Sequence, residues 1–473
     1  MNNKAIKRRD LILNGNILKA LLIISIPTAF NGLILSTYNL IDAFFVSQIG
    51  SLEVAVITFV SPINSLVRAI SLGLSIAGTN MIAQEIAKEK YESTKNMMKH
   101  LLVLSLALGI AIMLFSIIFS KNILLSISAT DSLMQAANDY FVIMMFSLPL
   151  TFCNSAFFAI KRANGETDEA MYVNFVGIFI KVILTYLMLF VFKFNIIGLA
   201  ISTFIGQLLV TLYAVYDLFL KNSLLKLTFK MSAFNVDTLV NLVLIGFPIM
   251  IEKSSIALGF IVINKYILSF GEIVLAGYGI TNNINSLFFS FASGLATGLA
   301  PIVSQNLGAN NPKRAKKAIT LSFIVGIILS SIIGVIVVFN SRSIAINFTG
   351  DDPELLRQVV NAMRVYSISV VAYCIFQVTN GVFQGTGKTR YNMLIGLVRI
   401  YLFRIPIVTV LVNYTELAEY SIWYTMLISN ILTAIFAYIL YRLTTRNIAL
   451  VKQVQVADFK KIINKWRSKN EQR

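Results

Sequence analysis

The chain has 473 residues, of which 57% are hydrophobic and only 13% charged, and its formal net charge is +18. So much apolar surface cannot be hidden inside soluble domains, so the composition predicts an all-α polytopic membrane protein of the cell membrane. The first ten residues are polar and basic, and no small-residue cleavage site follows the first apolar run. We therefore expect no cleaved signal peptide.

Twelve apolar segments are long enough to cross a bilayer as helices, at about 1.5 Å of rise per residue. With both termini placed in the cytoplasm, 28 of the 40 lysines and arginines fall on the inner side. This positive-inside bias predicts twelve spans and explains the net charge without a nucleic-acid partner. The segments are residues 17–46, 53–80, 101–120, 134–160, 171–192, 196–220, 239–268, 273–303, 318–339, 358–384, 391–412 and 420–441.

The first span contains a lone carboxylate, Asp42. An acid at that depth is expensive to bury and marks an ion or substrate path by default, although an acid wetted by headgroups at the helix end is the alternative. Pro27 removes a backbone hydrogen bond from this helix and is predicted to act as a hinge. The polar residues that share a helical stripe with Asp42, or lie beside it, are Thr28, Asn31, Tyr38 and Asn39.

Depth along the helices suggests partners for the intramembrane charges. Asp42 lies about 12 Å below the outer loop and Lys181, on the fifth span, about 18 Å below it. In the second half Glu252 and Arg399 lie at about 27 Å and about 22 Å. We therefore predict two buried ion pairs, Asp42–Lys181 and Glu252–Arg399. The alternatives are that Lys181 extends outward to the interface and that Glu252 pairs with its neighbour Lys253 or with inner-loop bases.

Further cations lie within the spans. Arg68, with Asn64 one turn before it, lies on the second span, and we place both with Asn31, Tyr38, Asn39 and Arg399 around a substrate cavity. Arg364 and Arg404 are additional candidates for helix packing or for repelling substrates.

The chain contains an internal duplication. From Ala55 and Ala276 onward the two halves align without a gap, which superposes Ile63–Leu66 on Ile284–Leu287 and places Pro27 opposite Pro248, a second predicted hinge. Six spans per half give both halves the same orientation, so a pseudo-twofold axis along the membrane normal relates two six-helix bundles. The predicted units are an N-terminal lobe 1–220, a cytoplasmic linker 221–238, a C-terminal lobe 239–442 and a basic cytoplasmic tail 443–473.

Neither an enzyme nor an ATP-driven pump is indicated, because no phosphate-cradling loop and no nucleophile–base set is present. The two cysteines, Cys153 and Cys374, lie within apolar spans, and no metal-ligand cluster is recognisable. We expect no cofactor, no metal and no obligatory protein partner. A membrane scaffold or enzyme without transport activity has no supporting motif.

The pattern resembles the multidrug and toxic compound extrusion (MATE) transporters over about residues 15–445. Each matching piece is short, but their order and the duplication make the combination specific. The pieces are Ile26-Pro27, Ile41–Val46, Ile49-Gly50, Gly73–Gln84, Ala163–Thr167, Gly198–Thr203, Ile245–Pro248, Gln305–Ala309 and Gln384–Thr389.

The resemblance implies an exporter of drugs or toxic cations, driven by a proton or sodium gradient through rocking and alternating access, with Asp42 as the N-terminal coupling acid. One branch of the family adds a sodium site with an Asn and an Asp on the fifth span and a Thr on the sixth. Here Lys181 and Thr185 occupy the first two positions, while Thr203 matches the third. Thr185 is then expected at the cavity. Glu252 does not fall at the spacing of another branch's seventh-span acid.

These observations together predict efflux of small organic cations by proton or sodium antiport. Lys181 would be a built-in counter-ion that exchanges with a proton or a cationic substrate on Asp42. The alternative, within the same superfamily, is a flippase for lipid-linked oligosaccharides or other amphipathic anions, since a basic central cleft suits an anionic substrate.

Overall fold

The computed structural model describes residues 4–126, 131–221, 225–228, 235–349 and 352–445. Much of the predicted linker and nearly all of the predicted tail lie outside these residues. Within them, eleven helices are long and apolar enough to cross a membrane, and a twelfth span results when two short helices that meet at 43° count as one. The prediction of an all-α protein with twelve spans is confirmed.

The helices fall into two groups of similar order. The first group comprises α1 (Lys4–Leu13), α2 (Ile17–Ser47), α3 (Ser51–Ala87), α4 (Tyr91–Ile118), α5 (Ser120–Ser126), α6 (Asp131–Phe146), α7 (Leu148–Ala163), α8 (Thr167–Tyr186) and α9 (Asn195–Val215). The second comprises α10 (Val236–Leu268), α11 (Glu272–Gly308), α12 (Pro312–Phe339), α13 (Ser341–Thr349), α14 (Pro353–Tyr366), α15 (Val370–Gly385), α16 (Arg390–Leu397), α17 (Ile405–Tyr414) and α18 (Tyr420–Thr445). Wider π-helical turns extend α8 and α9 and join α16 to α17.

The duplication is visible in the helix ends. Helix α3 begins at residue 51 and ends at 87, and α11 begins at 272 and ends at 308, so both ends are displaced by the same interval that separates Ala55 from Ala276. Helices α4 and α12 show the same displacement, and the last residue of each is highly exposed and apolar, Ile118 at 71% and Phe339 at 83%. Such surfaces suit contact with lipid. The two six-helix bundles are therefore repeats of one another.

Equivalent turns connect the fourth and fifth spans of each half. Gly165 and Gly387 adopt φ values of +73° and +72°, in the left-handed region that glycine occupies without strain. The Thr167 hydroxyl donates to the Ile24 carbonyl over 2.9 Å, and the Thr389 hydroxyl donates to the Ile245 carbonyl over 2.6 Å. Each turn thus ties the fifth span to the first span of its own lobe.

Small residues line the seam between the lobes, where α2 packs on α11 and α3 packs on α10. A Cβ atom on Gly294 would lie 2.5 Å from the backbone of Ala29, and one on Gly73 would lie 2.7 Å from the Gly246 carbonyl oxygen. Close approach of helix backbones through small residues is the usual basis of helix packing in lipid. The close packing of the two lobes along this seam therefore requires glycine at these positions.

Polar contacts close one end of the seam, on the face that carries the turns at 88–90, 164–166, 309–311 and 386–389. We call this the terminal face, because α1 also lies there. The Asn80 amide donates to the Ser304 hydroxyl and to the carbonyls of Gln384 and Gly385 over 2.8–3.0 Å, and the Gln305 amide donates to the Ala163 carbonyl over 2.7 Å. The lobes are hydrogen-bonded to each other at this face.

Candidate functional site

The predicted pair between Asp42 and Lys181 is present. The Lys181 ammonium lies 2.6 Å from both carboxylate oxygens of Asp42 and donates to the Tyr38 hydroxyl over 2.5 Å. The side chain of Lys181 is only 5% exposed, and that of Asp42 is 20% exposed. Helix α2 supplies Tyr38 and Asp42 one turn apart, and α8 lies alongside with Lys181. The charged pair thus joins the first and fifth spans of the N-terminal lobe.

A cavity of about 400 Å³ lies next to this pair, inside the N-terminal lobe. This volume falls within the roughly 300–1,000 Å³ that is usual for sites binding small molecules. Leu35, Val67, Leu72 and Phe158 are among its apolar walls. Its polar lining consists of Tyr38, Asn64, Arg68, Ser71, Ser147, Thr151, Asn154, Ser155, Asn174, Lys181, Thr203 and Gln207.

The charges at the cavity wall are positive. Lys181 and Arg68 both line it, and no carboxylate does so among the described residues. Lys181 is compensated by Asp42 behind the wall, whereas Arg68 is exposed and forms no ion pair within the described part of the chain. The cavity therefore presents one uncompensated cation to a ligand.

The cavity also contains a hydrogen-bonded network that we did not predict. The Asn154 amide donates to the Gln207 side-chain oxygen over 2.7 Å and accepts from the Thr211 hydroxyl over 2.9 Å. The Ser71 hydroxyl donates to that of Ser155 over 2.6 Å. A signal for part of this network exists in the sequence, because Asn64, Arg68, Ser71, Ser75 and Thr79 recur every three or four residues on an apolar helix.

Two residues predicted at the cavity lie behind its wall instead. Thr185 is fully buried and shares a hydrogen bond of 2.8 Å with Ser202, so it joins α8 to α9. Asn31 accepts a hydrogen bond of 2.5 Å from Asn174, which itself lines the cavity. The side chain of Asn39 lies outside the described residues. Thr185 and Asn31 therefore do not line this cavity, and their place at a substrate site stays a prediction.

Thr203 lines the cavity, and its part in ion coupling stays a prediction. Its hydroxyl donates to the Leu199 carbonyl of the preceding helical turn over 2.8 Å.

The predicted hinge prolines lie inside the continuous helices α2 and α10. The hinge roles of Pro27 and Pro248 stay predictions.

The second predicted ion pair, Glu252–Arg399, is not formed. Glu252 is completely buried on α10 and binds the ammonium of its neighbour Lys253 over 2.9 Å. Arg399 lies between α16 and α17 in the C-terminal lobe, away from the cavity, and donates to the Asn430 side-chain oxygen over 3.1 Å. Similar depths in the membrane do not place two side chains on facing sides of their helices, which is why this prediction was wrong.

A second ion cluster lies at the terminal face of the N-terminal lobe. The Lys161 ammonium contacts Asp217 at 2.5 Å, Glu166 at 3.1 Å and Glu169 at 3.2 Å, and its side chain is only 5% exposed. Lys221 bridges the same Asp217 and Glu169. The cluster holds together the ends of α7, α8 and the sixth span.

We expect Lys161→Met to lower the unfolding free energy by about 3 kcal/mol, because three carboxylates lose their shared buried cation. Lys95→Met, which removes only a surface pair with Glu92, is the matched control and should have little effect. Thermal unfolding of both purified variants in detergent measures the difference. Equal unfolding temperatures for the two variants would contradict a structural role for the cluster.

The other groups that could carry chemistry are few. Among the described residues, no group of His, Cys, Asp and Glu side chains could hold a metal ion. Cys153 and Cys374 are free thiols, the first half-buried and the second buried.

Comparison with known families matches both halves of the chain. The MatE family model aligns twice, with residues 27–187 and with residues 248–410, so the two matches begin at the two prolines that the duplication pairs. The chain belongs to the MatE family. The first match includes Asp42 and Lys181, and the second includes Glu252 and Arg399.

Three relatives of this MatE protein share less than a quarter of its residues with it. It is 23% identical over 383 residues to the multidrug export protein MepA of Staphylococcus aureus strain MSSA476. The aligned region covers 79% of this chain and 83% of MepA. The chain is 24% identical over 358 residues to an FAD transporter of Shewanella oneidensis, covering 74% and 78%. A solved outward-facing MATE multidrug resistance transporter superposes with a TM-score of 0.87 at 21% identity, covering 91% of this chain and 96% of that one. The fold is that of the MATE transporters.

Proposed function

We propose that this MatE protein exports small organic cations by secondary-active antiport, with protons or sodium ions as the coupling ions. The observation that carries the proposal is the Asp42–Lys181 pair at the edge of a cavity large enough for a small molecule. The S. aureus relative MepA is a multidrug export protein, and export of this kind agrees with the proposal.

In the proposed cycle, Lys181 forms an ion pair with Asp42 while neither a coupling ion nor a substrate is bound. A proton or sodium ion that binds Asp42 removes the counter-ion of Lys181, and the freed ammonium is expensive to keep buried. The pair therefore favours one arrangement of α2 and α8 when intact and another when broken. The hydrogen bonds at the terminal face hold the lobes together there, and we place this face in the cytoplasm. Breaking them opens the path to that side, as alternating access requires.

Purified protein in vesicles tests this mechanism. An imposed proton or sodium gradient should drive accumulation of a lipophilic cationic dye above its passive level. Asp42→Asn should abolish the gradient-driven component, whereas Asp139→Asn, which changes an exposed acid on α6, should retain it. Dye flux that is equal with and without a gradient would exclude antiport.

The uncompensated Arg68 favours a second candidate function, the movement of amphipathic anions. A carboxylate or phosphate in the cavity would find both Arg68 and Lys181 at the wall, and Arg is well suited to bind such groups bidentately. The same vesicles loaded with an anionic dye of matched size distinguish the candidates. Transport of the anionic dye alone, lost in Arg68→Gln, would select the flippase or anion exporter.

A further inference from the structure

The C-terminal lobe contains two arginines that are buried without a carboxylate. Arg399 is 7% exposed and Arg404 is 1% exposed, and both lie on the π-helical segment between α16 and α17. Neither forms an ion pair with an acid within the described residues. Glu252, which is the buried acid among the described residues of this lobe, is already paired with Lys253. Buried charges are normally compensated by a counter-charge, so this arrangement requires an explanation.

The two guanidinium groups converge on one acceptor. Arg399 and Arg404 both donate to the Asn430 side-chain oxygen, over 3.1 Å and 2.9 Å. The orientation of that amide is fixed, because its nitrogen donates to the Ser369 hydroxyl over 2.9 Å. Arg404 also donates to the Ser429 hydroxyl over 3.1 Å. Two like charges are thus held against a single neutral oxygen.

The remaining surroundings offer few acceptors. Arg399 lies over the rings of Phe376 and Tyr373, at 4.9 Å and 5.4 Å from their centroids, and Arg404 lies 5.9 Å from the centroid of Phe260. The Arg399 Nε atom is buried and has no hydrogen-bond partner among the residues that the structure describes. Each guanidinium carries five N–H donors, and the hydrogen bonds within the described residues use three of the ten.

We propose that Arg399 and Arg404 form a binding site for a small inorganic anion, such as a halide, within the C-terminal lobe. The nearly complete burial of both side chains favours a small ion over an organic amphiphile. One negative charge between the guanidinium groups would reduce their mutual repulsion. It would also accept hydrogen bonds from N–H groups that have no partner among the described residues. This site lies in the other lobe from the Asp42 cavity, and the proposal does not depend on the proposed transport activity.

Thermal unfolding of the full-length protein in detergent tests the site, with chloride exchanged for gluconate at constant ionic strength. We expect chloride to raise the unfolding temperature saturably, by about 2–4 °C, since a ligand that binds only the folded state stabilises it. Arg399→Gln and Arg404→Gln should each remove this rise. Arg342→Gln, which changes an exposed arginine on α13, is the matched control and should keep it.

Bromide provides a measurement that needs no variant. Crystals of the wild-type protein grown in bromide should show an anomalous difference peak between the two guanidinium groups. An equal chloride effect in all variants would place the anion elsewhere and overturn the proposal. Wild-type protein that is no more stable in chloride than in gluconate, with no bromide peak at the arginines, would overturn it as well.

Discussion

Replacing Lys181 with methionine is expected to destabilise the protein and to abolish coupled transport together. The substitution leaves Asp42 without its cation and Tyr38 without its donor in a largely buried position. Removing one partner of a buried pair costs about 3–5 kcal/mol because the remaining charge is uncompensated. Thermal unfolding in detergent and gradient-driven dye flux in vesicles measure the two effects on the same preparation.

The double variant Asp42→Asn, Lys181→Met separates stability from coupling. With both charges gone, no buried charge is left unpaired, so most of the lost stability should return. Transport should remain absent, because neither the coupling acid nor its counter-ion is present. A double variant that regains gradient-driven flux along with stability would show that the pair only supports the fold.

Replacing Gly294 with valine is expected to force the lobes apart along the α2–α11 seam. Its Cβ atom would lie 2.5 Å from the Cα and backbone nitrogen of Ala29, and rigid backbone cannot move aside as a flexible side chain can. Overpacking of this kind typically costs about 1–3 kcal/mol, and it acts only on the arrangement in which the seam is closed. We therefore expect a shifted conformational equilibrium and a severe loss of transport.

Spin labels placed across the terminal face measure that shift as a change in the distance distribution between the lobes. Gly279→Ala is the matched control on the same helix, since a Cβ atom at Gly279 meets nothing within 4 Å. It should leave the distances unchanged and, by better helix propensity, leave stability equal or slightly higher. If Gly294→Val gave the wild-type distances, the close approach at Ala29 would not control the lobe arrangement.

The two ion-pair predictions show where sequence reasoning succeeds and where it stops. The same depth argument gave Asp42–Lys181, which forms, and Glu252–Arg399, which does not. Depth follows from helix rise and can be counted along the chain. Whether two residues at one depth face each other depends on the rotation of each helix about its axis, which packing against neighbours determines. In this structure Glu252 forms its ion pair with the adjacent Lys253 and not with Arg399.

Some residues of the cavity can be predicted from the sequence, whereas others come together only in the folded lobe. The polar stripe on α3 can be read from the spacing of Asn64, Arg68, Ser71 and Ser75, since residues three and four apart share a helix face. Asn154 and Gln207 could not be assigned to the same site from sequence, because α7 and α9 bring them together only after the lobe is packed. Burial of Thr185 against Ser202 is likewise a property of the α8–α9 contact.

The sequence by itself determined the number of spans, the internal duplication and the first-span acid. Hydrophobic length and internal identity are local properties, and a helix in lipid satisfies its backbone hydrogen bonds within one segment. Only the tertiary structure decided which helices meet, namely α2 with α11 and α3 with α10. In lipid no hydrophobic force selects those neighbours, and the choice depends on how closely small residues such as Gly294 and Gly73 let two backbones approach.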